Sequence, residues 1–183
     1  MHDPLVKRTW ESIGEPARRL VVERADIVAE LCARTMVALT EALERELGKE
    51  KGCAVAREAF ERRFERRETE ATPAPEQAPV TAENRSLQAF AALVDEVCQA
   101  TQDFCRVEDR PDRVAYRFTR CVWADHFRRL GRPDIGHWFC DGDDRWARSF
   151  NPQIGFQRTQ VLMDGDECCD HVFYVEGPLT GNG

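Results

Sequence analysis

Side chains capable of chemistry concentrate toward the C-terminal end of this 183-residue sequence: Cys121, Asp125, His126, His137, Cys140, Asp141, Asp143, Asp144, Cys168, Cys169, Asp170 and His171. Thiols, imidazoles and carboxylates in one region support two kinds of reaction. In one, a cysteine thiolate attacks an electrophilic carbon while an aspartate or histidine moves protons. In the other, thiolates with a carboxylate or an imidazole hold a divalent transition metal such as zinc, which activates water. No spacing selects a familiar motif: the sequence has no Gly-rich phosphate loop, no C-x-x-C, no H-E-x-x-H and no G-x-S-x-G.

Neighbours bias the individual residues. The acidic run 141–144 raises the pKa of a thiol at Cys140, which suits a ligand better than a free nucleophile. Cys168 and Cys169 are adjacent in a strand-like run and point to opposite faces; Cys169 shares its face with His171, while Asp170 looks the other way and caps or orients. Asp143 reads as a proton handler or as a helix N-cap, and His126 as a proton handler or an exposed polar residue. Arg158 can grip a substrate carboxylate bidentately or form a surface pair. Asn151, before Pro152, suits a turn. Trp123, Trp138 and Trp146 can wall an apolar pocket, with His137 beside Trp138. Cys32, Cys53 and Cys98 fall on helix faces and read as core, and Cys105 lies in a strand.

These residues need elements to position them. Periodicity predicts helix over 5–47, with a break near Gly14 and Pro16. Val21, Ala25, Val28, Cys32, Met36, Leu39, Leu43 and Leu47 repeat along it as one buried stripe. Gly48 stops that helix, and a second follows over 53–67 with Ala56, Phe60 and Phe64 on one face. The Pro-rich polar stretch 69–83 reads as a linker. It separates an N-terminal helical region, 1–68, from a domain at 84–177, and 178–183 reads as a frayed tail.

In the domain, Asn84 caps a helix with Leu87, Phe90, Val94, Val97 and Thr101 inside. Strands follow at 103–107 and 114–121, about a turn at 108–112. Short helices come next at 123–130 and from Pro133, interrupted at 141–144. A hairpin of 154–163 and 168–175, joined by 164–167, ends the pattern. The expected class is α+β, with short helices packed on a small antiparallel sheet.

Composition narrows the partners. A net charge of −7, with arginines interleaved among glutamates, argues against nucleic acid. No apolar run reaches the roughly 18 to 20 residues of a membrane span. The first residues lack a signal-peptide core, so the cytoplasm is the expected location, with its eight cysteines reduced. The N-terminal apolar stripe is expected to pack on the C-terminal domain or on a second copy, giving a homodimer.

Within 120–173 six short pieces occur in order: Arg120-Cys121, Phe127 with Leu130-Gly131, Phe139-Cys140 with Asp143, Phe150-Asn151-Pro152, Arg158-Thr159, and Gly165 with Cys169-Asp170. In these pieces the chain resembles the L-2-amino-thiazoline-4-carboxylic acid hydrolase family. The resemblance implies hydrolysis of a small cyclic amidine or amide at a C–N bond, opening the ring to a carbamoylated cysteine. Homologues redirected to related chemistry in a specialised biosynthetic pathway fit it as well. Cys121, Cys140 and Cys169 then carry the chemistry, as nucleophile or as ligands where a metal is bound. Asp143 or His126 moves protons, and Arg158, Asn151, Trp138 and His171 contact the substrate. One position departs from the family, which has an aromatic directly after its final Cys-Asp where this chain has His171. Two rival readings remain. The last hairpin also resembles the vinyl-4-reductase type of small-molecule-binding domain, which implies a non-enzymatic sensor of a small molecule or metal. A thiol-redox protein is the third, though C-x-x-C is missing.

Overall fold

The computed structural model describes residues 14–70 and 85–176, with side chains omitted for 63–70. The expected helix start at residue 5, the side chain of Phe64, nearly all of the linker, the Asn84 cap and the tail lie outside the described residues.

Two long helices come first, α1 (Glu15–Leu47) and α2 (Lys49–Glu70). Gly48 separates them at φ 84°, a conformation that favours glycine, as its place at the helix end predicts. Pairs such as Arg19–Glu23 and Arg57–Glu61, both 2.9 Å, lace their outer faces and contribute a few tenths of a kcal/mol each. The inward face of α1 differs from the expected stripe. Ala29, Ala33, Val37 and Thr40 are buried, whereas Val21, Val28, Leu39 and Leu47 are exposed. That buried face is shared between α2 and the 122–129 segment, whose His126 reaches Asp26. Gly52 lies so close to α1 that an added Cβ would sit 2.4 Å from the Glu44 nitrogen. The glycine therefore permits the close crossing of the two helices at Leu43 and Glu44.

The second layer is a four-stranded antiparallel sheet, ordered β1-β2-β4-β3: β1 (Gln102–Arg110), β2 (Arg113–Cys121), β3 (Ile154–Gln157) and β4 (Cys169–Val175). The first hairpin is tighter than its predicted turn. The ladder continues to Arg110 opposite Arg113, helped by the Arg113–Glu108 pair at 2.9 Å. Alternation places Val114, Tyr116 and Phe118 on the inner face, with Phe173 and Cys169 beside them.

The helix α3 (Leu87–Cys98) covers this face. Phe90 meets Phe173 edge-on at 5.0 Å, and the Tyr116 hydroxyl donates to the Ala91 carbonyl at 2.8 Å. Within the described residues Ser86 caps α3, accepting the Ala89 N–H at 3.2 Å. Ala91 and Cys98 are inside, and the predicted core residue Val97 is exposed. Three short helices follow β2: α4 (Val122–Arg129), α5 (Pro133–Cys140) and α6 (Asp143–Phe150). Gly131, at φ 69°, turns the chain from α4 to α5.

The final pair of strands is not a tight hairpin. After Gln157 the chain leaves the sheet through a loop at 158–168 that includes a 3₁₀ turn at Leu162–Asp164. Side chains take the amides a longer strand would use. Asp170 accepts from Thr159 and Gln160, at 2.8 and 2.6 Å, and Asp166 from Val161 at 2.7 Å.

The helical pair is joined to the sheet layer by charge and by rings. Arg132 binds Glu44 of α1 at 2.8 Å, and Phe60 of α2 meets Phe139 of α5 at 4.8 Å. Among the described residues no helix is long and apolar enough to cross a membrane. Gly52→Ala should force α1 and α2 apart and destabilise the protein by about 1–3 kcal/mol, as overpacking does. Chemical denaturation of the variant beside wild type checks this.

Candidate functional site

The site is built where α5, α6, the loop after β3 and the start of β4 converge. Asp143 is the first residue of α6. Gly142 occupies the cap position, so the N-cap role considered for Asp143 is not the one it takes. Its carboxylate instead receives Nη1 of Arg158 at 3.0 Å, and the same nitrogen lies 3.4 Å from the Cys140 carbonyl oxygen. Both side chains are largely buried, with 25% and 14% exposure.

Arg158 stands one residue beyond β3, over the ring of Phe156 at 5.7 Å. Its direction is set from across the sheet. The Asp170 carboxylate accepts the Thr159 amide, the Thr159 hydroxyl and the Gln160 amide, at 2.8, 2.5 and 2.6 Å. Asp170 thus pins the backbone next to Arg158. Partial burial opposes its ionisation, but those donors outweigh it and hold the carboxyl below its ordinary value.

His171 follows on β4, facing opposite to Asp170. Phe118 packs on its ring at 4.8 Å and Phe156 edge-on at 5.2 Å. Nε2 points toward Asp143, 3.8 Å from Oδ2, and has no hydrogen-bond partner among the described residues.

The thiols of Cys121, Cys140 and Cys169 close the cluster. Cys121 lies close enough to both others to oppose their ionisation, and Cys169 does the same to Cys140. Burial is the main force on each thiol. It pushes Cys121 and Cys140 up, with Asp143 adding to Cys140. It takes Cys169 to about 11, although the Leu162 amide donates to that sulfur at 3.2 Å.

Burial also acts on the acid and the imidazole. Desolvation lifts Asp143 to about 7, against the opposing charge of Arg158 and with help from Asp141. Desolvation, then Arg158, lowers His171 to about 3, so the ring is neutral. Among the described residues no three His, Cys, Asp or Glu side chains are grouped to hold a metal ion.

Other candidates lie elsewhere. His126 is buried, not exposed, and its Nε2 is 3.2 Å from Asp26 of α1. Asn151 is committed to a turn: its amide donates to the Arg85 carbonyl at 2.8 Å and its oxygen accepts the Gln153 amide at 2.9 Å. Trp138 packs toward Phe60 at 5.9 Å, Trp123 stacks on Phe139 at 4.6 Å, and Trp146 meets Phe90 at 5.0 Å. Trp138 and Trp123 thus share one ring cluster through Phe60 and Phe139, and Trp146 belongs to the cluster around Phe90. His137 pairs with Asp164 at 2.6 Å.

Two neighbours of the cluster were not expected. Gln102, opposite Cys121 in the ladder, donates to that sulfur at 3.8 Å, and its Oε1 is buried without a partner among the described residues. Cys98 is core, as expected, but close enough to Asp143 and Cys121 to feel their charges. Only strand register could have exposed Gln102, because its residue type carries no signal.

A buried carboxylate, a guanidinium, a neutral imidazole and protonated thiols, held between a small antiparallel sheet and short helices, give an α+β protein with a buried polar cluster. The L-2-amino-thiazoline-4-carboxylic acid hydrolase family model matches residues 29–173. The chain belongs to that family, whose name is that of a hydrolase acting on a thiazoline carboxylate. The match starts inside α1 and includes α2, well before the stretch that carries the resemblance in sequence. No curated protein matches the chain.

Asp170→Ala should free the 158–168 loop. Amide hydrogen exchange at Thr159 and Gln160 is expected to accelerate, with a stability loss of about 1–3 kcal/mol. Because the folded pKa of Asp170 is depressed, its contribution is present above the unfolded aspartate pKa of about 4. It fades as pH falls through the folded value. Exchange measured by mass spectrometry at neutral and acid pH checks both points.

Proposed function

We propose that the chain hydrolyses a small cyclic amidine that carries a carboxylate, of the thiazoline type, with Asp143 as the proton handler. The supporting observation is the Asp143–Arg158 pair, in which a carboxyl held by a fixed cation titrates near 7. A general base works best with its pKa near the working pH. Arg158 has five donors and gives one nitrogen to Asp143, so the rest of its fork remains for a substrate carboxylate. The raised pKa values of Cys121, Cys140 and Cys169 favour neutral thiols that shape and desolvate the site.

In the proposed reaction, a water oxygen bonds to the amidine carbon as the C=N π pair moves onto the ring nitrogen, and one water proton passes through the Asp143 carboxylate to that nitrogen. The ring C–N bond then breaks as the adduct hydroxyl becomes a carbonyl. Its proton follows through Asp143 to the leaving nitrogen, which departs as an amine and leaves the carboxylate restored. No step passes through a metal.

The charged groups around Asp143 are Arg158, which lowers its pKa, and Asp141, which raises it. The base must be ionised, so kcat/KM on L-2-amino-thiazoline-4-carboxylate should fall as pH drops through about 7. Asp143→Asn should lower kcat about 100-fold or more and abolish that limb of the profile. Arg158→Gln should raise KM about tenfold or more through the lost charged contact and also move the acid limb to higher pH, because Arg158 lowers the Asp143 pKa. Wild type inactive on every cyclic amidine carboxylate tried would refute the reading. Steady-state kinetics across pH checks all three.

A further inference from the structure

We propose that the outer face of α1 is the contact surface of a homodimer, in which two copies of the chain lay this helix antiparallel against each other. The face lies opposite the buried row of Ala29, Ala33, Val37 and Thr40 and so turns away from the sheet layer. Ile27, Val28, Leu31 and Leu39 are 63, 61, 65 and 61% exposed there, and Leu20 and Val21 are exposed beside them. At roughly 100° per residue, these six and Ala38 fall on one band about a third of the helix circumference wide. A solvated helix face is ordinarily polar. The six side chains leave on the order of 500 Å² of apolar surface open, a size at which a patch on a monomer is often functional. Two such faces with their charged rims bury on the order of 1,200–1,600 Å², which is what a specific dimer needs.

A second copy suits this face because the face is its own complement. About the midpoint between Ala29 and Glu30, apolar residues match in pairs: Leu20 with Leu39, Val21 with Ala38, Ile27 with Cys32 and Val28 with Leu31. A two-fold axis at that midpoint, perpendicular to both helices, brings the members of each pair level across the contact. The polar pair Arg24 and Thr35 comes level in the same way. The flank adds charge. Glu23 and Arg34 lie on one side of the band, each paired within its own helix, to Arg19 at 2.9 Å and to Glu30 at 2.8 Å. The axis sets Glu23 only two residues of rise, about 3 Å along the helix, from Arg34 of the second copy, and the same contact recurs on the other side of the axis. A parallel pairing would instead set Arg24 against Arg24. A rim of both signs has no net positive charge to draw it to an anionic lipid surface, as a membrane-lying helix needs.

The experiment is analytical ultracentrifugation of the full chain across the micromolar range, wild type beside Leu31→Glu, Glu23→Arg, Arg34→Glu and the double charge exchange. Wild type should sediment as a species of twice the 21.0 kDa chain mass. Leu31→Glu changes a side chain that the monomer leaves in solvent, and it should weaken association about 100-fold or more. Ile27→Glu carries the same test should that variant fail to fold. Glu23→Arg and Arg34→Glu should each weaken association about three- to tenfold, and the double exchange should restore it, because the antiparallel register joins those two side chains. Far-UV circular dichroism checks that each variant keeps its helices. A wild type that stays monomeric overturns the proposal, whether another segment of the same chain or a phosphatidylcholine vesicle covers the face. So does a dimer that folded Leu31→Glu and Ile27→Glu variants leave intact. A double exchange that associates no better than the single variants overturns the antiparallel arrangement.

Discussion

Holding Asp143 and Arg158 together away from water is the constraint on which the rest of the structure depends. Removing a carboxylate and a guanidinium from solvent costs several kcal/mol per ion, and their attraction offsets that cost only when the geometry is good. The pair is satisfied on several sides. Arg158 meets the Asp143 carboxylate, the Cys140 carbonyl and the Phe156 ring. Its backbone is pinned by three donors to Asp170. The irregular path of 158–168, which breaks an otherwise simple hairpin, follows from that need. A strand continued past Gln157 would spend those amides on the ladder and lose the Asp170 clamp.

The helical pair serves the same centre from behind. Phe60 packs on Phe139, next to Cys140, and Arg57 reaches Asp141 at 3.0 Å. Arg132, three-quarters or more buried, ties the start of α5 to Glu44. These contacts fix where α5 ends and α6 begins, and Asp143 sits at that junction. Arg57 also offsets part of the negative charge of Asp141, which acts on Asp143. The family match over 29–173 covers α2 and most of α1, in keeping with helices that are structurally part of the site's frame.

Much of this was legible in the sequence because it rests on local rules. The alternation at Val114, Tyr116 and Phe118, the glycine stops at Gly48 and Gly131, and Pro133 opening α5 each follow from backbone preference or strand period. The opposition of Asp170 and His171 across β4 follows from the same period, and it foresaw the orienting role of Asp170. What stayed hidden was set by distant contacts. The stripe on α1 was misplaced because apolar residues populate more than one of its faces, and only packing against α2 and α4 selects the small one. His126 could not be assigned to Asp26 across a hundred residues, nor could Gln102 be placed at Cys121 without the strand register.

The thiols show most clearly why residue type alone misdirects. Three cysteines in a cluster suggest thiolate chemistry, yet the burial that gathers them also suppresses it. A thiol near 11, as at Cys169, is ionised in roughly one molecule in ten thousand at neutral pH. Cys140 is worse placed, because the carboxylate of Asp143 adds its repulsion to burial. The same desolvation has the opposite consequence for an acid. It lifts Asp143 to about 7, where roughly half the molecules carry the base and half the acid, as a group that takes and returns one proton requires. One environment thus silences the stronger nucleophile and tunes the weaker base. That asymmetry is the physical case for water, not sulfur, as the attacking group in the proposed reaction.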